Sequence, residues 1–205
     1  MGQHNQAGKI IGILALQGDF HAHRHVLEDR LNTQVVEVRT PRDLQQADAL
    51  ILPGGESTTI AKLLARIDLI TPIRERAKAG MPIYGTCAGM ILLARDIEGH
   101  PEQPTVDLLD ITVARNAFGR QVDSFEADLS FDAGGETRDV RGVFIRAPYA
   151  TRVGHGVEVV ATLADKIVGV RQGSILATAF HPELTDDPGV HAAFVEMTVN
   201  SRERR

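Results

Sequence analysis

The single cysteine of this 205-residue chain, Cys87, stands between two glycines in Gly85-Thr86-Cys87-Ala88-Gly89. Met81-Pro82-Ile83-Tyr84 before it is short, apolar and β-prone, and Ala88 to Asp96 after it has the composition and length of a helix. A reactive residue on so sharp a strand-to-helix turn needs small neighbours, because a Cβ on either side presses on the strand or the helix. Gly85 and Gly89 meet that demand. The positive end of the following helix favours the thiolate, the form that attacks carbonyl carbon. The N–H of Ala88 is the natural oxyanion donor of the same turn. Taken alone, the pattern is more often a buried cysteine that only packs.

A second constellation shifts that balance. The apolar run Ile175 to Phe180 delivers His181-Pro182-Glu183. In an extended chain residues two apart face one side, so His181 and Glu183 can share a site. Pro182 keeps His181 out of the helical region. A general base for a thiol keeps one ring nitrogen for the sulfur and anchors the other on an acceptor, the role open to Glu183. The third piece is Pro53-Gly54-Gly55-Glu56-Ser57, a glycine turn ahead of a helix. There the Gly55 N–H is the expected second oxyanion donor, with Ser57 as helix N-cap.

These residues must be positioned by strands and helices. Lys9 to Leu16 is near-continuously apolar, as expected of a central parallel strand, and Gln17-Gly18-Asp19 turns the chain into a helix over Phe20 to Leu31. Gln34 to Arg39 and Ala49 to Leu52 read as strands, and Thr58 to Ile67 as a helix with Ile60, Leu63, Leu64 and Ile67 on one face. Thr71-Pro72 marks the start of a short helix to Ala79. Strand and helix thus alternate, and ligands of such sheets lie beyond the carboxyl ends of the strands, where Gln17, the glycine turn and Cys87 collect. From Ile111 to Phe180 short β segments follow one another, and a helix closes the chain from about Pro188 to Asn200. The expected fold is α/β: a three-layer, open, mostly parallel sheet with helices on both faces and antiparallel strands added in the second half. One domain is expected over residues 1–205, with 1–8 an unstructured lead-in.

A net charge of −5 without a basic stripe, and no Trp, argue against nucleic acid or an anionic membrane as partner. A lone cysteine suits a reducing cytoplasm. The run Ile10 to Leu16 is too short to span a bilayer. His21 and His25, at i and i+4, read as a solvated face, so neither a metal nor another cofactor is expected.

The motifs together resemble class I, triad-type glutamine amidotransferases, and within them the glutaminase subunits of pyridoxal 5′-phosphate synthases. The resemblance runs from about Ile10 to Met197. It rests on Leu16-Gln17-Gly18, Leu52 to Thr59, Gly85 to Gly89, Arg115 to Glu126, Phe144-Ile145-Arg146-Ala147-Pro148 and His181 to Thr185. It implies hydrolysis of L-glutamine, with the ammonia passed to a separate (β/α)₈-barrel synthase subunit. By position, it implies Cys87 as nucleophile with His181 and Glu183 completing the relay. Gly55, Glu56, Ser57, Arg115, Ile145 and Arg146 would line the glutamine site, and Gln17 would couple it to the partner. Cationic residues suit an α-carboxylate. Where relatives often carry Glu-His after the Gln-Gly pair, this chain has Ala22-His23. Glutaminase subunits serving other synthases, such as imidazole glycerol phosphate synthase, share the triad and are the alternative.

Overall fold

The computed structural model describes residues 8–115, 124–133 and 135–200. The lead-in up to Ala7 and most of the motif after Arg115 lie outside these residues. The strands are β1 (Ile10–Leu14), β2 (Gln34–Val38), β3 (Ala49–Leu52), β4 (Ile83–Thr86), β5 (Ala94–Ile97), β6 (Leu109–Ala114), β7 (Ser124–Asp132), β8 (Thr137–Ile145), β9 (Tyr149–Val153), β10 (Glu158–Leu163), β11 (Lys166–Gln172) and β12 (Ile175–Thr178). A ten-stranded sheet has the order β2-β1-β3-β4-β12-β11-β9-β6-β5, with β10 paired to β11. From β2 to β12 neighbours run parallel. Beyond β12 they run antiparallel up to β6, and β5 pairs β6 in parallel. Strands β7 and β8 form a separate antiparallel hairpin.

The central strands β3, β4 and β12 are buried along their whole length, which explains their unbroken apolar reading. Helices α1 (Phe20–His25), α2 (Pro41–Leu44), α3 (Ser57–Arg66), α4 (Ile70–Lys78), α5 (Ala88–Leu93) and α6 (Gly189–Asn200) connect and cover them. Helix α3 buries Ile60, Ala61 and Leu64, the stripe set by its 3.6-residue period.

Several boundaries differ from the sequence expectation. The helix from Phe20 is α only to His25 and continues as a π-helical turn over Val26–Arg30. Helix α2 is additional: Thr40 accepts from the Asp43 N–H and the Asp43 carboxylate accepts from Thr40 in a capping box, with Pro41 in the first turn. Helix α4 starts at Ile70, before Thr71-Pro72. Helix α5 stops at Leu93 instead of Asp96, because Ala94 turns extended (φ −64, ψ 150) to pair β5 with β6. The N-cap of α3 is Glu56, whose carboxylate accepts from the Thr58 and Thr59 N–H groups; Ser57 lies inside the helix.

The buried apolar residues form one cluster spanning the parallel strands, the antiparallel strands and α6. Tyr84 of β4 meets Phe194 of α6 at 5.5 Å between ring centroids. The hairpin is attached by Phe125 stacked on Phe144 (4.8 Å) and Phe144 against Phe180 (5.5 Å). Of these rings Tyr84, Phe144, Phe180 and Phe194 are fully buried, and each contributes roughly 1.5–3 kcal/mol from burial. A backbone bridge completes the attachment: the His181 N–H donates to the Val143 carbonyl at 2.8 Å.

Candidate active site

The carboxyl ends of β1, β3, β4 and β12 bring Gln17, Gly54-Gly55, Cys87 and His181 to one edge of the sheet. Cys87 has φ +49 and ψ −100, a left-handed backbone for a residue with a Cβ. Such strain costs on the order of 1–3 kcal/mol and must be held by its surroundings. The holders are visible. The Cys87 N–H donates to the Thr178 carbonyl at 2.8 Å, and its own carbonyl accepts from Ile91 at 3.3 Å. A Cβ on Gly85 would stand 2.6 Å from the Gly89 carbonyl carbon, and one on Gly89 would stand 3.0 Å from the Leu52 carbonyl carbon. Both glycines are therefore required by close backbone approach. Ala88 is the first residue of α5, so its N–H belongs to the unpaired first turn.

Cys87 is 8% exposed, and its sulfur lies 3.9 Å from the carbonyl oxygen of Ile145, at the end of β8. His181 is also buried, and its Nδ1 is 2.8 Å from Oε1 of Glu183. Glu183 sits on a 3₁₀ turn (Pro182–Leu184) rather than on an extended chain, and the turn still closes the two side chains on each other. His181 itself has φ −106 and ψ 88, outside the helical region as a residue before proline requires. Burial disfavours its imidazolium, but hydrogen bonding to Cys87 and to Glu183 outweighs that and pushes its pKa up to about 10. For Glu183 burial again opposes the charge, while His23 and His181 hold the carboxyl far below the usual range. The pair is an imidazolium and a carboxylate, with the sulfur on the other side of the ring.

The glycine turn lies against this ring. A Cβ on Gly54 would stand 2.9 Å from Nδ1 of His181 and 3.3 Å from its Nε2. The Gly54 carbonyl accepts from the Asp19 N–H at 3.2 Å, and the trans peptide then turns the Gly55 N–H to the opposite side. Gln17 braces the next peptide, its Oε1 accepting from the Glu56 N–H at 2.8 Å. The carboxylate of Glu56 is occupied by capping α3; the Thr59 hydroxyl, despite some opposing burial, brings its pKa down to about 2. Arg115 reaches the same corner: its guanidinium is 3.7 Å from Glu56 and 3.2 Å from Gln103 Oε1. Ser57 is buried, and its hydroxyl has no partner among the described residues. Arg146 is exposed and has φ +43, so the chain is strained one residue beyond Ile145. Gln17, Gly55, Glu56 and Arg115 thus meet around the start of α3, where Ser57 also lies, and the Ile145 carbonyl faces the thiol, with Arg146 next in the chain. His21 and His25 are exposed, and His25 pairs with Asp29.

Sequence reasoning missed Gly54 as the surface against which His181 rests, and Asp19 as the donor that orients the peptide after it. It also missed His23, Thr86 and His191, which contact Glu183 or one another in the core. Gly54 was legible in the double glycine. The others carry no local signal, because their contacts join α1, β4 and α6.

An elbow thiol coupled to an imidazole–carboxylate pair, above the parallel part of an α/β sheet, is an arrangement suited to nucleophilic attack on an acyl carbon. The chain belongs to the SNO glutamine amidotransferase family, whose model matches residues 13–200. It is 55% identical over 196 residues to the pyridoxal 5′-phosphate synthase subunit PdxT of Frankia alni, covering 95% of this chain and 98% of that one. The subunit of the same name from Thermus thermophilus is 53% identical over 189 residues, covering 92% and 97%. A crystal structure of a glutamine amidotransferase superposes with a TM-score of 0.87 at 50% identity, covering 92% of this chain and 98% of that one.

Proposed function

We propose that this chain is the glutaminase subunit of pyridoxal 5′-phosphate synthase, hydrolysing L-glutamine to L-glutamate and ammonia and handing the ammonia to the synthase subunit. The observation that carries the chemistry is the strained elbow cysteine coupled to His181 and Glu183. The Cys87 thiolate attacks the side-chain amide carbon of glutamine, and the tetrahedral oxyanion accepts from the N–H groups of Gly55 and Ala88. His181 gives its proton to the departing nitrogen, and ammonia leaves a thioester on Cys87. His181 then takes a proton from water as the water attacks the thioester, and glutamate is released. Glu183 holds the ring in the tautomer both steps need.

Arg115 and Arg146 supply cationic donors for the α-carboxylate, and Glu56, Ser57 and Ile145 line the amino-acid site. Gln17, bonded to the Glu56 peptide, links the oxyanion turn to the edge where the synthase subunit, a (β/α)₈ barrel, docks. The chain works as one domain in the cytoplasm; no helix of the described residues is long and apolar enough to cross a membrane.

The test is glutamate production by the chain mixed with its cognate synthase subunit. Cys87→Ser is expected to abolish it while leaving the complex intact, and wild-type Cys87 is expected to be labelled by a glutamine-mimicking electrophile. Turnover surviving in Cys87→Ser removes the cysteine from the mechanism. Stimulation by a different synthase in place of the cognate one reassigns the partner.

A further inference from the structure

Behind Cys87, His181 and Glu183 lies a second pair of imidazoles that the hydrolysis itself does not use. His23 of α1 and His191 of α6 are both fully buried. Nδ1 of His23 is 2.9 Å from Nε2 of His191. Nε2 of His23 is 3.4 Å from Oε1 of Glu183 and 3.2 Å from the Thr86 hydroxyl, one residue before the nucleophile. That Oε1 is the same oxygen that His181 engages at 2.8 Å. An unbroken line of groups therefore runs from the thiol to the C-terminal helix.

One arrangement of hydrogens suits this line. A neutral imidazole has one N–H and one bare nitrogen, and an ionised carboxylate only accepts. Nε2 of His23 then carries its hydrogen towards Glu183, and in the neutral ring Nδ1 is bare to accept from the Nε2–H of His191. The remaining Nδ1 of His191 is bare and has no partner among the described residues. The reverse assignment strands an N–H at that nitrogen and aims a lone pair at a carboxylate, which costs more in a buried setting. Burial pushes the His191 pKa down to about 3, so its ring is neutral. Tyr84 of β4 faces His191 edge-on at 6.1 Å and is neutral as well, burial raising its pKa well above the usual value.

We propose that His23, oriented by His191, is a positioning residue for glutamine hydrolysis, donating its Nε2–H to Oε1 of Glu183 so that one fixed carboxylate oxygen faces His181. The other oxygen of Glu183, Oε2, is buried without a partner among the described residues. With His23 in place, the carboxylate cannot turn Oε2 towards His181 without giving up a charge-assisted bond. The His181 ring then keeps Nδ1–H on Glu183 and presents Nε2 to the sulfur. This inference rests on the glutaminase reading above.

The test uses the chain in complex with its synthase subunit. His23→Leu is expected to lower kcat for glutamine hydrolysis by about 10- to 100-fold, the value of one hydrogen bond to a charged group, with KM within about twofold. His23→Gln puts an amide N–H at the level of the imidazole Nε2 and is expected to recover kcat to within about threefold of wild type, whereas His23→Asn, one bond shorter, is not. A folded His23→Leu with wild-type kcat, or a glutamine variant no better than leucine, overturns the proposal. Should the leucine variant not fold, nitrogen NMR of wild-type histidines decides. His23 and His191 are both expected to carry a hydrogen on Nε2. A bare Nε2 on His23 refutes the assignment. Wild-type complex that makes no glutamate refutes the glutaminase reading instead, and leaves the nitrogen spectra to judge the hydrogen chain.

Discussion

Gly54→Ala separates catalytic geometry from folding more cleanly than loss of a triad residue. The position is buried, and its backbone does not have the left-handed φ that would exclude alanine. What the added methyl meets is the His181 ring, with 2.9 Å to Nδ1 and a still closer approach to Cε1. Carbon atoms rest at about 3.5–4.0 Å, so the ring has to retreat by more than about 1 Å. That motion comes directly out of the 2.8 Å contact with Glu183 and the approach to Cys87. A misplacement of about 1 Å in a reacting group costs on the order of 100-fold, or about 2.7 kcal/mol of transition-state stabilisation. Steady-state glutamate production in the presence of the synthase subunit is therefore expected to show kcat lowered about 100-fold or more. The thermal midpoint should fall by about 2–12 °C, as for overpacking of about 1–3 kcal/mol in a chain of this size. A Gly54→Ala enzyme with wild-type kcat refutes the claim that His181 rests on this glycine during turnover.

Thr40→Ala removes the capping box of α2, far from the thiol, and is expected to cost about 0.5–2 kcal/mol in urea unfolding with kcat unchanged. Stability as a function of pH should reflect the buried pair. Glu183 has a folded-state pKa below its ordinary 4.5, so its contribution is complete above pH 4.5 and is lost as the pH falls. His181 is shifted the other way, from 6.5 to about 10, so its contribution is complete below pH 6.5 and is lost as the pH rises through about 10. The stability difference between wild type and Glu183→Gln is thus expected to be largest between pH 4.5 and 6.5. A difference that grows towards either extreme contradicts the assignment of an ionised pair.

The parts of the site legible in the sequence are those whose physics is local. Gly85 must be small because Gly89 of the same turn lies against it, and His181-Pro182-Glu183 carries base and anchor within one turn; Gly89 is crowded by Leu52 of β3, a contact that the turn's own sequence does not show. The alternation of β1 to β4 with helices was likewise written in apolar runs and helical stripes. What could not be read is what tertiary pairing decides. Ala94 leaves a helix with good helix formers on both sides because β6 offers it a strand partner. The hairpin β7–β8 looks like any pair of alternating strands, and nothing in its sequence says that Val143 will hold the backbone of His181. His23 and His191 are 168 residues apart and meet only once α1 and α6 have packed. The capping box at Thr40 shows the opposite case, since Thr40, Pro41 and Asp43 carry a local start signal for a helix too short to show a periodic stripe.

The floor beneath the thiol is made of main chain pressed on main chain: Gly18 on Gly54, Gly89 on Leu52, Gly85 on Gly89. No second mutation can make room there, because peptide groups, unlike side chains, cannot be trimmed. A β-carbon added at Gly85 or Gly89 has therefore to be met by movement of the backbone that carries Cys87.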